Sequence, residues 1–238
     1  VRRVRAEGLV RALHAIVLAG GSGRRLAALT EKLTGRTMPK QYCAFTGGRT
    51  LLQHTLARLA PLAPPHRTTV VVHEAYRETA REQLASFRGA AILTQPSDRG
   101  TGSGLLRALV HVLRRDPEAV VVVSPSDHGI RDEPAYLRGI REAVGAAALA
   151  AAVLLGVEAD EPHTDYGWIV PGRDLAPGVR AVTTFVEKPA ASQAAALIEC
   201  GALYSTMVLA ARARTLVDLF ERSRPGLAAL FTPLALLP

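Results

Sequence analysis

Short apolar runs alternate with longer stretches whose leucines and alanines recur at three- and four-residue spacing. Ala15, Ile16, Val17 and Leu18 form an unbroken apolar run, the pattern of an inner parallel strand covered on both faces. Similar runs predict strands over 69–73, 90–94 and 119–123, the last an almost pure valine segment between Pro117 and Pro125. Leu51, Leu52, Leu56 and Leu59 keep helical spacing behind a Thr50-to-Gln53 capping box, and Pro61, Pro64 and Pro65 close that helix. Further helices are predicted over 74–87 and 102–115. A repeated strand-then-helix order implies right-handed parallel crossovers and an α/β fold. Beyond these the pattern predicts a helix over 134–144, strands over 150–157 and 179–186, and helices over 190–198 and 211–220.

The first apolar run passes through Leu18 and Ala19 into Gly20, Gly21, Ser22 and Gly23. Glycines there permit positive φ and leave backbone N–H groups free to cradle phosphate oxygens. Arg25 and Lys40 add a fork-shaped and a point-like cation. The stretch spells neither the P-loop pattern nor the dinucleotide fingerprint. Two more polar clusters follow apolar runs: Ser124-Pro125-Ser126-Asp127-His128 and Phe185-Val186-Glu187-Lys188-Pro189. In open α/β sheets ligands collect at the carboxyl ends of parallel strands, so the three clusters are expected to share one side of the molecule.

Gly-Gly-x-Gly-x-Arg-Leu followed by Pro39-Lys40-Gln41 resembles the sugar-phosphate nucleotidyltransferases, and the Pro-Ser-Asp-His and Val-Glu-Lys-Pro elements bring the resemblance nearest to the mannose-1-phosphate guanylyltransferases. The resemblance spans about 15–220. It implies a Rossmann-like, GT-A-type three-layer α/β domain with a mostly parallel central sheet, expected over 1–238. It also implies that GTP and mannose 1-phosphate are joined to give GDP-mannose and pyrophosphate, with Mg²⁺ as cofactor. On this pattern Arg25, Lys40 and Asp127 carry the catalysis, with Asp127 holding the metal. Leu18, Ala19, Gly20, Gly21, Ser22, Gly23, Gln95, Gly100 and Thr101 bind the nucleotide, and Gly167, Glu187, Lys188 and Ser205 bind the sugar phosphate. Trp168, in Tyr166-Gly167-Trp168, is expected to pack in the core.

The sequence departs from the family at several points. Gln95 and Gly100 stand where mannose-specific members often carry Glu and Asn; an amide can pair with guanine, uracil or thymine alike. Ser205 replaces a sugar-contacting asparagine, the 30–39 loop is longer than usual, and the sequence ends before the second metal-binding aspartate of longer members, so C-terminal truncation is one reading. The alternatives are therefore a uridylyl- or thymidylyltransferase acting on glucose 1-phosphate, or a catalytically weak nucleotide-sugar binding domain.

Charge changes this picture little. The net charge is +8 and the pI about 10.2, but aromatic residues make up only 5% and arginines are scattered, which argues for phosphorylated small molecules over nucleic acid. Two distant cysteines suggest a reducing, cytoplasmic setting. The basic start followed by 15–19 is too short for a secretory signal, and no window has the length of a membrane span. The sequence leaves the oligomeric state open.

Overall fold

Alternation of apolar side chains on both faces of each inner strand produces three layers. The computed structural model describes residues 13–21, 23, 26–97 and 100–231. β1 (Leu13–Ala19) pairs in parallel with β2 (Thr68–His73), β3 (Ala91–Gln95) extends the sheet beyond β2, and β4 (Val120–Pro125) pairs in parallel with the other side of β1. α1 (Ala27–Thr34), α2 (Leu51–Leu59), α3 (Arg77–Gln83), α4 (Gly100–Arg115) and α5 (Glu133–Ala146) lie between or after these strands. Ala15 and Val17 join a buried cluster with Leu52, Leu56 and Leu59 of α2 and Ile140 and Val144 of α5. Ile16 joins the opposite cluster with Leu106 and Leu109 of α4. Each fully buried aliphatic side chain stabilises the fold by about 1.5–3 kcal/mol, so β1 carries an apolar residue toward both layers.

The capping box of α2 is formed in both directions: the Thr50 hydroxyl accepts from Gln53 N, and Thr50 N donates to Gln53 Oε1. The predicted 74–87 helix is shorter. It begins as a 3-10 turn (Glu74–Tyr76), continues as α3, and gives way to turns ending at Gly89, whose φ of +98° no helix accommodates. The connection expected over 18–41 contains α1, which Gly35 terminates at φ +72° by donating its N–H to Glu31 O. Its longer insertion points outward: of residues 26–37 only Thr30 is buried.

The first half of the sheet is parallel, as expected of its crossovers, and the second half adds antiparallel strands to that core. β5 (Val153–Glu158), β6 (Gly167–Ala176), β7 (Val179–Glu187) and β8 (Leu203–Arg212) give the order β3-β2-β1-β4-β8-β6-β7, with β5 paired to β8. β6 and β8 escaped the periodicity because Pro171-Gly172 interrupts one and Ser205-Thr206-Met207 the other. α6 (Ala191–Glu199) covers Trp168 and Tyr204 of this half. α7 (Ala213–Ser223) starts later than predicted because Ala211 and Arg212 are pairing with β4, and α8 (Pro225–Ala229) follows it. Among the described residues no helix is long and apolar enough to cross a membrane.

β8 joins the two halves of the sheet. Leu209 and Ala210 pair with both β4 and β5, and Leu203 and Tyr204 with both β6 and β5, so β4 and β6 share one edge of β8. Between those two ladders, residues 205–208 face a gap.

Candidate active site

Leaving β1 at Ala19, the glycine loop runs back against the Pro39-Lys40-Gln41 segment. Gly23 takes φ +62°, and a Cβ there would stand 3.0 Å from the Lys40 backbone nitrogen and 3.1 Å from Pro39 Cα. A glycine is therefore what lets two motifs separated in sequence form one wall. Gln41 is buried in a 3-10 turn (Lys40–Tyr42), and its Nε2 donates to Ala19 O at 3.0 Å and to Gly21 O at 2.8 Å. Tyr42 adds a hydroxyl bond to Ala19 O at 3.2 Å. Once the Ala19 carbonyl is fixed, planarity of the peptide also fixes the direction of the Gly20 N–H. A buried amide thus sets how the loop presents its donors. Ser22, Arg24 and Arg25 lie outside the described residues.

Across the loop, β4 ends at Pro125 and the chain turns, with Ser126 N donating to Leu18 O at 3.2 Å. This brings Asp127 to Lys40: Oδ2 and Nζ are 2.8 Å apart, and both side chains are partly exposed. Burial holds the His128 imidazole below the usual histidine range, with Asp127 opposing and Lys40 and Arg58 reinforcing the shift. Arg58, itself buried, anchors Glu133 at the start of α5 at 2.9 Å, while Tyr136 of the same helix meets Ser124 at 3.4 Å. The Asp127 turn is thereby tied at both ends.

A cleft of about 370 Å³ opens between these walls. Leu18, Gly20, Gly21, Gln95, Gly100, Thr101 and Asp127 all line it, bringing together seven of the expected nucleotide and metal residues, while Gly23 backs onto Pro39 and Lys40. Gln95 lies flat between two glycines: a Cβ on Gly20 would come 3.0 Å from its Oε1, and one on Gly104 2.9 Å. The N-terminal part of α4 and the glycine loop therefore hold the Gln95 amide in the cleft wall. A separate groove of about 310 Å³ between α5 and the β6–β7 hairpin is mainly aliphatic and holds none of the expected residues.

The expected sugar residues gather on adjacent strands beyond the gap in β8. Gly167 pairs with Glu187, and a Cβ on Gly167 would come 2.8 Å from Glu187 Oε2 and 2.7 Å from Phe185 Cζ. Trp168 pairs with Tyr204, which sets Gly167 beside Ser205. Lys188, at φ +47°, donates its N–H to Tyr166 O at 3.1 Å, and its Nζ stands 3.7 Å from Glu187 Oε1. Trp168 is fully buried as expected; its Nε1 donates to His163 O at 3.0 Å and its ring packs edge-on against Tyr204. This aromatic packing supports the start of β6, where Gly167 lies.

The family model described as "Nucleotidyl transferase" matches residues 14–233. This chain belongs to that nucleotidyl transferase family. It is 36% identical over 217 residues to xanthan biosynthesis protein XanB of Xanthomonas campestris pv. campestris (strain B100), covering 90% of this chain and 45% of XanB. Over 221 residues it is 34% identical to a mannose-1-phosphate guanylyltransferase of Sinorhizobium fredii, covering 90% of this chain and 42% of that protein. A crystal structure from Thermus thermophilus, described as mannose-1-phosphate geranyltransferase, superposes with a TM-score of 0.80 at 32% identity, over 94% of this chain and 64% of that one. The chain spans about half the length of the curated relatives it matches.

Within this nucleotidyl transferase chain, sequence reasoning passed over two residues that shape the cleft. Gln41 was visible only as the last letter of Pro39-Lys40-Gln41, and its burial supplies the role. Met207 lines the cleft beside Asp127; its φ of +55°, unusual for a side chain of that size, had no counterpart in the periodicity.

Proposed function

We propose that this chain joins GTP and mannose 1-phosphate to give GDP-mannose and pyrophosphate. The observation that carries the reading is the convergence of the glycine loop and Asp127 on one cleft, with Lys40 Nζ held 2.8 Å from Asp127 Oδ2. The names of the relatives favour GTP and mannose, and Gln95 offers an amide donor and acceptor compatible with a guanine edge, as with uracil or thymine. A phosphate monoester has a second pKa of about 6, so the sugar phosphate is largely dianionic at neutral pH and attacks without a general base. Its oxygen forms the new bond to the α-phosphorus as the bond to the β-phosphate oxygen breaks, and pyrophosphate leaves. Alignment and charge neutralisation supply the rate enhancement. In this reading the loop amides and Arg25 hold the departing pyrophosphate, Lys40 faces the α-phosphate, and Lys188 holds the attacking phosphate. Glu187, Gly167 and Ser205 orient the hexose.

Asp127 fits the requirement for Mg²⁺, because it is a partly exposed carboxylate in the cleft wall, and one or two carboxylates with phosphate oxygens suit this metal. Bound there, Mg²⁺ would neutralise charge on the nucleotide phosphates. Free Cys43 and Cys200 support a cytoplasmic setting. A second reading, nucleotide-sugar binding without turnover, draws support from Asp127 being the only acidic side chain lining the cleft among the described residues.

The test is Mg²⁺-dependent pyrophosphate release across four nucleoside triphosphates and several sugar 1-phosphates, with Asp127→Ala alongside. Release with GTP and mannose 1-phosphate, lost in the variant, is the expected result. Release only with UTP or dTTP and glucose 1-phosphate replaces the substrates. No release from folded protein that binds GDP-mannose moves the conclusion to the binding reading.

A further inference from the structure

Met207 occupies a backbone conformation that favours glycine, at the point where the sheet opens. Its φ is +55°; among the described residues only Lys188 shares a positive φ without being glycine. Along the edge of β8 that faces β4 and β6, Leu209 pairs with Val123 and Tyr204 with Trp168, and Met207 falls in the gap between. The same place shows an irregular register with β5, between Leu154 and Gly156. The bulge is held in place: Ser205 Oγ accepts from Met207 N at 3.3 Å, and Thr206 Oγ1 accepts from Val208 N at 3.2 Å while donating to Leu155 O. Two short polar side chains thus give the N–H groups of 207 and 208 partners where the ladders of β8 are interrupted.

Packing does not account for the side chain placed there. Met207 is half exposed at 50%, so it adds little to the core, and a Cβ at this φ is strained. It lines the cleft with Asp127 and Gln95, and it is two residues from Ser205 on β8, the strand that pairs with the β6 of Gly167, which in turn pairs with the β7 of Glu187. We propose that Met207 is the partition between the nucleotide cleft and the hexose strands and limits which hexose 1-phosphate fits beside the α-phosphate, a role that rests on the nucleotidyltransferase reading above. An unbranched thioether suits the task, because it fills an irregular space without requiring a hydrogen-bond partner.

Two variants separate side chain from backbone. Met207→Ala and Met207→Gly both remove the thioether; only glycine also removes the strain. Pyrophosphate release would be followed with mannose, glucose and N-acetylglucosamine 1-phosphates, and separately with four nucleoside triphosphates. Both variants should raise kcat/KM for the bulkier N-acetylated sugar relative to mannose 1-phosphate by about 10-fold or more, with the nucleotide ranking unchanged. The glycine variant should melt about 2–4 °C above the alanine variant. Unchanged sugar ratios in both variants, a change in the glycine variant alone, or a shift in nucleotide ranking instead would each overturn the partition. Absence of release by the unsubstituted chain overturns the enzymatic reading. The comparison is then made on Kd values for GDP-mannose and its N-acetylglucosamine counterpart, where equal ratios in all three proteins overturn the partition as well.

Discussion

Replacing Gln41 tests whether one buried amide holds the glycine loop in its working shape. In Gln41→Leu two hydrogen bonds are lost, those to Ala19 O and Gly21 O. Ala19 O keeps Tyr42 as a partner, and Gly21 is exposed, so water can reach its carbonyl. The loss is then two net hydrogen bonds without a fully orphaned acceptor, about 2 kcal/mol. In a chain of this size that lowers Tm by roughly 4–8 °C. Gln41→Glu keeps the shape but, ionised, offers only acceptors to two carbonyl oxygens, and the cost rises to roughly 3 kcal/mol or more. Denaturant midpoints should rank the wild type above leucine and leucine above glutamate. Calorimetric titration with nucleoside triphosphate should show at least about a tenfold loss in affinity in both, equivalent to about 1.4 kcal/mol. A glutamate variant as stable as the leucine variant, or affinity that survives in either, would refute the tether.

Gly167→Ala places a Cβ against Phe185 and Glu187. Both side chains are exposed and can swing aside, so stability should fall by less than about 1 kcal/mol, while displacement of Glu187 raises KM for the sugar phosphate and leaves that for the nucleotide unchanged. Equal KM values would separate Glu187 from sugar binding. Burial, the leading cause for each, lowers the pKa of His14, His111 and His128, with Asp116 opposing the shift at His14 and Asp127 at His128. The folded protein therefore binds fewer protons than the unfolded chain. Stability should be full above the unfolded histidine pKa of about 6.5 and decline as pH falls below it. A urea midpoint at pH 5.5 equal to or above that at pH 8 would contradict this assignment.

Much of the fold and site was legible because the relevant signals are local. Apolar runs located β1, β2, β3 and β4, leucine spacing and a capping box located α2, and the polar clusters after those runs named the residues that now line one cleft. The antiparallel half was less legible. Pro171-Gly172 and Ser205-Thr206-Met207 break the alternation in β6 and β8, since those positions answer to long-range pairing and not to a repeating burial pattern.

By itself the sequence determined the α/β order of the first half, the chemistry available at each strand end, and the membership that its motifs suggested. Only tertiary structure decided that β4 and β6 meet the same edge of β8 and leave a gap, that Gln41 bonds the loop carbonyls, and that Met207 is set into the gap at positive φ. Periodicity reports which face of an element is buried. Which strands become neighbours, and which side chains meet across them, depends on non-local hydrogen bonds that no short window of sequence contains.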